Sequence, residues 1–229
     1  MSSLQCNINI FTMLLSIFIL FLLFIITRCL YLIFSIHFYK KENAQHSRKE
    51  PAKTMICIGS GGHTTEMLII VRSMNPDCYS PRIYVMADTD FTSEAKIHEA
   101  EKALIPDGRK QYSIIKISRS RKVLQSYFTS IFTTIYSMII CVPLLINTNP
   151  DLILCNGPGT CIPVCVTGFL CKVFCLNRDL KIVFIESFCR VKTISLSGKI
   201  LNIFADDIIV QWKELLKVCK RAKYFGRLT

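Results

Sequence analysis

The chain has 229 residues, 51% of them apolar, with 28 basic against 16 acidic side chains and a net charge of +12. That length allows one ordinary domain and an appendage, and a mean hydropathy of +0.40 excludes a protein that meets only water. The charge suits an anionic leaflet and a phosphate-bearing ligand; no recognition motif accompanies it, so no nucleic-acid partner is expected.

Ile8–Thr27 is uncharged and almost wholly apolar, long enough to cross about 30 Å of hydrocarbon as a helix. No basic stretch precedes it and no small-residue cleavage site follows, which argues against a cleaved signal peptide. Arg28, Lys40, Lys41, Arg48, Lys49 and Lys53 all lie after it, so by the positive-inside rule the C-terminal body faces the cytosol. The expected organisation is a transmembrane anchor over 1–39, a basic polar linker over 40–53 and an α/β domain over 54–229.

Met55–Ile58 is a short apolar run of β-forming character. Gly59, Ser60, Gly61 and Gly62 follow, and Met67, Leu68, Val71 and Met74 then recur at helical spacing. A strand that breaks into a glycine turn and re-enters as a helix exposes N–H groups at a positive dipole end, which can hold phosphate oxygens. The loop is not G-x-G-x-x-G, which needs glycine where Thr64 stands, and it lacks a P-loop ending. His63 opens the helix. The dipole disfavours an imidazolium there, so it is either a neutral proton acceptor or a polar helix-start residue. Glu66, one turn on, reads as a first-turn acid that complements the dipole.

Further apolar runs at Arg82–Ala87, Tyr112–Ile117, Asp151–Cys155, Lys181–Glu186 and Ile208–Trp212 each follow a segment that reads as a helix. Repeated units of this kind make a Rossmann-like parallel sheet with helices on both faces, and its ligands lie beyond the carboxyl ends of the strands. Asp88 and Asp90 end the second strand, where a dinucleotide-binding protein keeps its ribose acid; as loop residues they would instead cap the helix from Thr92. Arg119 and Arg121, in Ser118–Lys122, are either phosphate-binding forks or a solvated charge run. Leu124–Pro150 carries no charge. Ser126, Ser130, Thr133 and Ser137 stand opposite Phe128, Ile131, Ile135 and Met138, which favours a sheet-packed or membrane-skimming helix over a second span.

Asn156, Gly157, Pro158, Gly159 and Thr160 form a second glycine turn from strand to helix, with the same phosphate-binding logic as the first. The many cysteines between Cys155 and Cys175 have apolar helix formers between them and no histidine nearby, so they read as small buried hydrophobes; no metal or cofactor is expected. Glu186 closes the fifth strand, and either binds a hydroxyl or pairs with a cation such as Arg190. Ser195–Ala205 reads as a helix, and the chain finishes in a basic segment, Lys213–Arg227. Tyr224, Phe225 and Leu228 at that end are apolar enough to sit in a partner's groove; a final edge strand on the same sheet is the other reading.

GSGGHTTEM at 59–67, ADTD at 87–90, RSR at 119–121, DLILCNGPGTCIP at 151–163, Glu186 and Ser187 with Arg190, LSGKIL at 196–201 and YFGR at 224–227 together resemble one family. It is the membrane-bound subunit of the UDP-N-acetylglucosamine transferase that adds the second N-acetylglucosamine to dolichyl-diphosphate-linked N-acetylglucosamine, for N-glycosylation. The resemblance spans nearly all of 54–229 and implies the N-terminal, acceptor-binding half of a two-lobed GT-B glycosyltransferase. It implies a separate cytosolic subunit carrying the donor-binding catalytic half, no activity by this chain alone, and a single-pass place in the endoplasmic reticulum membrane. Under that expectation the two glycine loops, the arginines and Arg190 hold the acceptor diphosphate, and His63 and Glu186 are the catalytic candidates. A membrane-tethered nicotinamide-dependent reductase and a pure membrane scaffold are the alternatives.

Overall fold

The computed structural model describes residues 2–38, 48, 50–106, 109, 111–120, 125–157 and 160–229. These form two compact units, divided near residue 40. The first is a single helix, α1 (Ser2–Phe38). Its stretch Asn9–Phe38 has the length and apolarity to cross a membrane, and it runs about 11 residues past the apolar stretch read from sequence. Hydroxyls in its apolar stretch bond back to the helix: Ser16 Oγ donates to the Thr12 carbonyl and Thr27 Oγ1 to that of Leu23, both at 2.8 Å, as suits an apolar medium.

The second unit is a seven-stranded parallel sheet in the order β3-β2-β1-β4-β5-β6-β7. The strands are β1 (Thr54–Cys57), β2 (Arg82–Ala87), β3 (Tyr112–Ile117), β4 (Leu152–Asn156), β5 (Lys181–Ile185), β6 (Asp207–Val210) and β7 (Ala222–Tyr224). Between them run α2 (Gly62–Arg72), α3 (Phe91–Leu104), α4 (Tyr127–Thr148), α5 (Cys161–Val173) and α6 (Leu196–Leu201). β1 and β2 are buried at every residue, as strands covered on both faces must be. The expected Rossmann-like parallel fold is present.

Arg82, on buried β2, is held by a bidentate pair to Glu101 of α3 at 2.7 and 2.8 Å, and Tyr84 Oη donates to the same carboxylate. Opposite charges and a hydroxyl thus satisfy one another inside the core.

Several boundaries differ from the sequence expectation. Residues 40–47 and 49 of the linker lie outside the described residues, but its end belongs to the body: Arg48 pairs with Asp151 at 2.9 Å and Lys53 Nζ donates to the Thr148 carbonyl. The helix read over Ser195–Ala205 is only α6. The basic C-terminal segment folds into a 3-10 turn, Lys213–Lys217, and then the edge strand β7, which pairs in parallel with β6. Asp90 caps α3, its carboxylate accepting from the Ser93 amide, which bears out the capping reading of that loop.

α4 settles how its hydroxyls are used. Ser137 Oγ donates to the Ser118 carbonyl and Thr133 Oγ1 to that of Ser120, so the hydroxyl side packs on the domain.

Candidate functional site

The order of the strands reverses between β1 and β4, so the helices that follow them leave on opposite faces and open a crevice at their carboxyl ends. The two glycine loops read from sequence, after β1 and after β4, therefore stand side by side. α3, α4 and α6 are each capped by a side chain, from Asp90, Ser126 and Ser195. α2 and α5, which rise from the glycine loops, have no side-chain cap. A helix start without such a cap leaves its first-turn N–H groups to other partners.

His63 sits at the centre of the crevice. Its Nδ1 lies 2.8 Å from Asn156 Oδ1, across the switch point. Asn156 Nδ2 donates to Glu66 Oε2 at 2.9 Å, and Ser187 Oγ donates to Glu66 Oε1 at 2.8 Å. The Glu66 carboxylate accepts, so the amide of Asn156 turns its nitrogen to Glu66 and its oxygen to His63. An amide oxygen facing Nδ1 requires the proton on Nδ1, which leaves the lone pair on Nε2. Glu66 Oε2 is also 4.0 Å from Nδ1.

Around this ring is an open pocket of about 840 Å³, within the size range of ligand sites. Its lining combines polar side chains, among them His63, Glu66, Ser130, Thr134, Ser187 and Arg190, with the apolar side chains of Ile131 and Ile135 from α4, Ile162 from α5, and Leu196 and Ile200 from α6. The pocket is thus amphipathic, as the site of a polar head joined to an apolar chain would be.

Glu186 lines the pocket but is 1% exposed. One oxygen accepts from the Ser187 amide and the other from the amide and hydroxyl of Ser195. It pairs with Ser195, not with Arg190, which is exposed on the rim. Gly198 leaves room for it, since a β-carbon there would lie 2.6 Å from Oε2. The carboxylate therefore locks the start of α6 against the end of β5.

Of the other residues expected in the site, Gly62 and Gly157 line the pocket, and Ser60 and Gly61 lie exposed in the adjoining loop. Gly59 is buried beneath His63. Thr160 is also buried, and its hydroxyl donates to the Ile58 carbonyl, tying the second loop to β1. Arg119 is half-buried outside the pocket walls, while the neighbouring Ser120 lines them. Arg121 and Gly159 lie outside the described residues. The cysteines Cys155, Cys161, Cys165 and Cys171 are buried, and burial raises the Cys155 thiol above its ordinary range.

Tyr224 and Phe225 are exposed on and just after β7, whereas Leu228 packs against the domain's own core. Gln211, fully buried, accepts from the Leu228 and Thr229 amides and donates Nε2 to the Glu186 carbonyl. Trp212 Nε1 donates to the Phe188 carbonyl, and the Arg227 guanidinium lies 4.4 Å over the Trp212 ring. The C-terminal tail is therefore stapled to the loop after β5, which lines the pocket.

Sequence reasoning missed Glu66 as a site residue and Gln211 altogether. The sequence alone makes Glu66 a dipole-complementing acid, yet the spacing His63-x-x-Glu66 puts both side chains on one helix face, a signal that is present. Gln211 carried none.

A family model described as Alg14, oligosaccharide biosynthesis protein Alg14 like, matches residues 54–228. The UDP-N-acetylglucosamine transferase subunit ALG14 of Mus musculus is 44% identical over 185 residues, covering 79% of this chain and 84% of that protein. The Homo sapiens protein of the same name is 44% identical over 184 residues, with 79% and 84% covered. That of Schizosaccharomyces pombe is 41% identical over 185 residues, with 79% and 86% covered. Two solved structures are similar at 11% identity. Acinetobacter baumannii MurG has a TM-score of 0.48 over 70% of this chain and 41% of that one. Anabaena Alr3699/HepE, in complex with UDP and glucose, has a TM-score of 0.46, with 77% and 44% covered. The chain spans about two-fifths of the length of these structures.

Proposed function

The chain belongs to the Alg14-like family of oligosaccharide biosynthesis proteins, and on that premise we propose that it is the acceptor-binding subunit of a UDP-N-acetylglucosamine transferase. Its acceptor is dolichyl-diphosphate-linked N-acetylglucosamine. Its partner is a separate cytosolic subunit that binds the sugar nucleotide and completes a GT-B enzyme. α1 anchors the pair in the endoplasmic reticulum membrane, with the α/β body on the cytosolic side.

The observation that carries this reading is the amphipathic pocket at the switch point. The diphosphate lies at the uncapped N-termini of α2 and α5 and near Arg190, where N–H groups, helix dipoles and a guanidinium all favour negative charge. The apolar side chains of the lining take the first part of the lipid. The acceptor sugar then reaches His63.

In the reaction an acceptor hydroxyl attacks the anomeric carbon of the donor sugar held by the partner, and the bond to UDP breaks. The hydroxyl proton passes to His63 Nε2, and UDP leaves with the bonding electron pair. Asn156 keeps Nδ1 protonated and the ring aimed, and Glu66 holds the Asn156 amide in that orientation, the logic by which an acid orients a base in triads. Glu186 acts as a positioning group for α6. The exposed Tyr224 and Phe225 dock the partner on the edge of the sheet, next to the staple that reaches the pocket.

The test is to purify the chain with and without the co-expressed partner and to assay transfer from UDP-N-acetylglucosamine to a short polyprenyl-diphosphate N-acetylglucosamine. Transfer by the pair and none by the chain alone is expected. An active pair with unchanged kinetics in His63→Ala overturns the base, and binding of NADPH by the lone chain overturns the transferase reading in favour of a reductase.

A further inference from the structure

α4 is amphipathic the wrong way round for a helix that meets water. Ser130 and Ser137 face the domain, while Phe128, Phe132, Ile135, Ile139, Val142 and Ile146 form an outward stripe, each between 40% and 72% exposed. The helix carries no acidic or basic side chain anywhere along its length. Water would normally meet charged and polar residues on such a face, and contiguous exposed apolar surface of this extent marks an interaction site.

We propose that the outer face of α4 is a second membrane contact, lying flat in the interfacial layer of a lipid leaflet rather than spanning it. Ser137, Cys141 and Leu145 are buried against the body, so lipid could not surround the helix and it cannot traverse the bilayer. Several features of the face match a leaflet and not a protein groove. Its outward side chains are aliphatic and aromatic, with Tyr136 among them, the composition that settles at a headgroup boundary. No ionic group stands on it to set a register, although the rims of protein interfaces are polar. Positive charge is carried by the segments that share the pocket with α4: the loop after β5 and α6 bear exposed Arg190, Lys192 and Lys199. Cations of this kind are drawn to anionic headgroups.

The same contact bears on the pocket. Ile131 and Ile135 stand on both surfaces: they line the pocket and are exposed on α4. A leaflet against α4 places hydrocarbon at the mouth of the pocket, so an isoprenoid chain can pass in from the side without crossing water. The membrane contact itself does not depend on the transferase reading and can be tested without activity.

The full-length chain is reconstituted in phosphatidylcholine vesicles containing phosphatidylglycerol, with brominated phosphatidylcholine as a contact quencher of tryptophan. Phe132→Trp and Ile139→Trp are compared with Phe91→Trp, an exposed site at the start of α3, with the native Trp212 as a constant background. Emission at 132 and 139 is expected to fall at least twofold more than at 91 when the lipid is brominated. Equal, small quenching at all three sites overturns the proposal. Shielding of 132 and 139 from aqueous iodide without bromolipid quenching also overturns it, because a protein then covers the face. To keep the test independent of the folding of tryptophan variants, the wild-type chain is also photolabelled from a carbene-generating lipid. Label in peptides from 126–150 and not from 91–104 is the expected result, and absence of label in 126–150 sinks the idea.

Discussion

Gly157 sits against His63 so closely that a β-carbon on it would lie 2.7 Å from Cγ of the imidazole and 2.8 Å from Nδ1. Its φ of +83° is one that side chains rarely adopt. Gly59 flanks the other end of the same residue, where a β-carbon would meet His63 Cβ at 2.7 Å. The two loops thus hold a histidine between two glycines, which is a different demand from leaving room for phosphate.

Gly157→Ala is therefore expected to push the His63 ring off Asn156 and reduce kcat of the reconstituted transferase about 100-fold, with strain of about 1–3 kcal/mol. Gly62→Ala meets open space and should alter stability by well under 1 kcal/mol. Kinetics and thermal unfolding of the two variants, each with partner recovery measured, check the contrast. Equal kinetic losses at both positions would mean that the ring's seat is not what matters.

The hydrogen-bond chain from Glu66 through Asn156 to His63 predicts graded losses. His63→Ala removes the base and should cost about 100- to 10,000-fold in kcat. Asn156→Ala removes the group that fixes the tautomer and should cost about 100-fold. Glu66→Gln frees the amide of Asn156 to turn and should cost about 10-fold, with acceptor KM nearly unchanged. Nitrogen NMR of labelled histidine provides a separate readout: in Glu66→Gln the Nε2-protonated tautomer of His63 should appear.

Glu101 is the shared acceptor of Arg82 and Tyr84, and both neighbours are fully buried. Glu101→Ala leaves a guanidinium without its anion in the core and should destabilise the body by about 3–5 kcal/mol. Calorimetry in detergent tests this. A loss below about 1 kcal/mol would show that water reaches Arg82.

Asp90 contributes a pH-dependent term. Burial pushes its carboxyl up, but hydrogen bonds from Ser93 and Thr92 outweigh this and hold it below the ordinary carboxylate range. A folded value below the unfolded one means that the stabilisation is present at neutral pH. It fades as pH drops below about 4, through the folded value. Asp90→Ala should lower stability at pH 7 by about 1 kcal/mol, the worth of an N-cap, and narrow its gap to wild type in acid. A gap that stays constant with pH would contradict the assignment.

At the C-terminus, Phe225 is exposed and Leu228 belongs to the core, so truncation after Lys223 would confuse docking with folding. Phe225→Ser separates them. It should reduce recovery of the catalytic partner severalfold while leaving thermal stability within about 0.5 kcal/mol. Gln211→Leu should do the opposite in the first instance, unseating the tail and costing about 1–3 kcal/mol. Pull-down and melting measurements on both variants distinguish the two roles.

Local pattern was enough for the alternating elements, the apolar N-terminal helix and the two glycine loops. β2 and β3 fall on the residues expected, because buried runs bounded by turns signal themselves within a few positions. That both glycine loops share one edge follows from right-handed crossovers in a parallel sheet. The sequence also brought out the hydroxyl stripe of α4 without saying which side would face out.

What only the tertiary structure decided depends on residues far apart in the chain. Asn156 and His63 are 93 positions apart and Glu66 and Ser187 are 121, and no periodicity encodes such hydrogen bonds. The sequence left Glu186 between binding a hydroxyl and pairing with Arg190; the structure gives it the amide and hydroxyl of Ser195, and Arg190 lies exposed. Gln211 has no local signal at all, because its role is to satisfy backbone groups of a tail that returns to the sheet after a 3-10 turn. A side chain's spacing reports the face of its own element, whereas the partner across a crevice is fixed only when strand order brings two loops together.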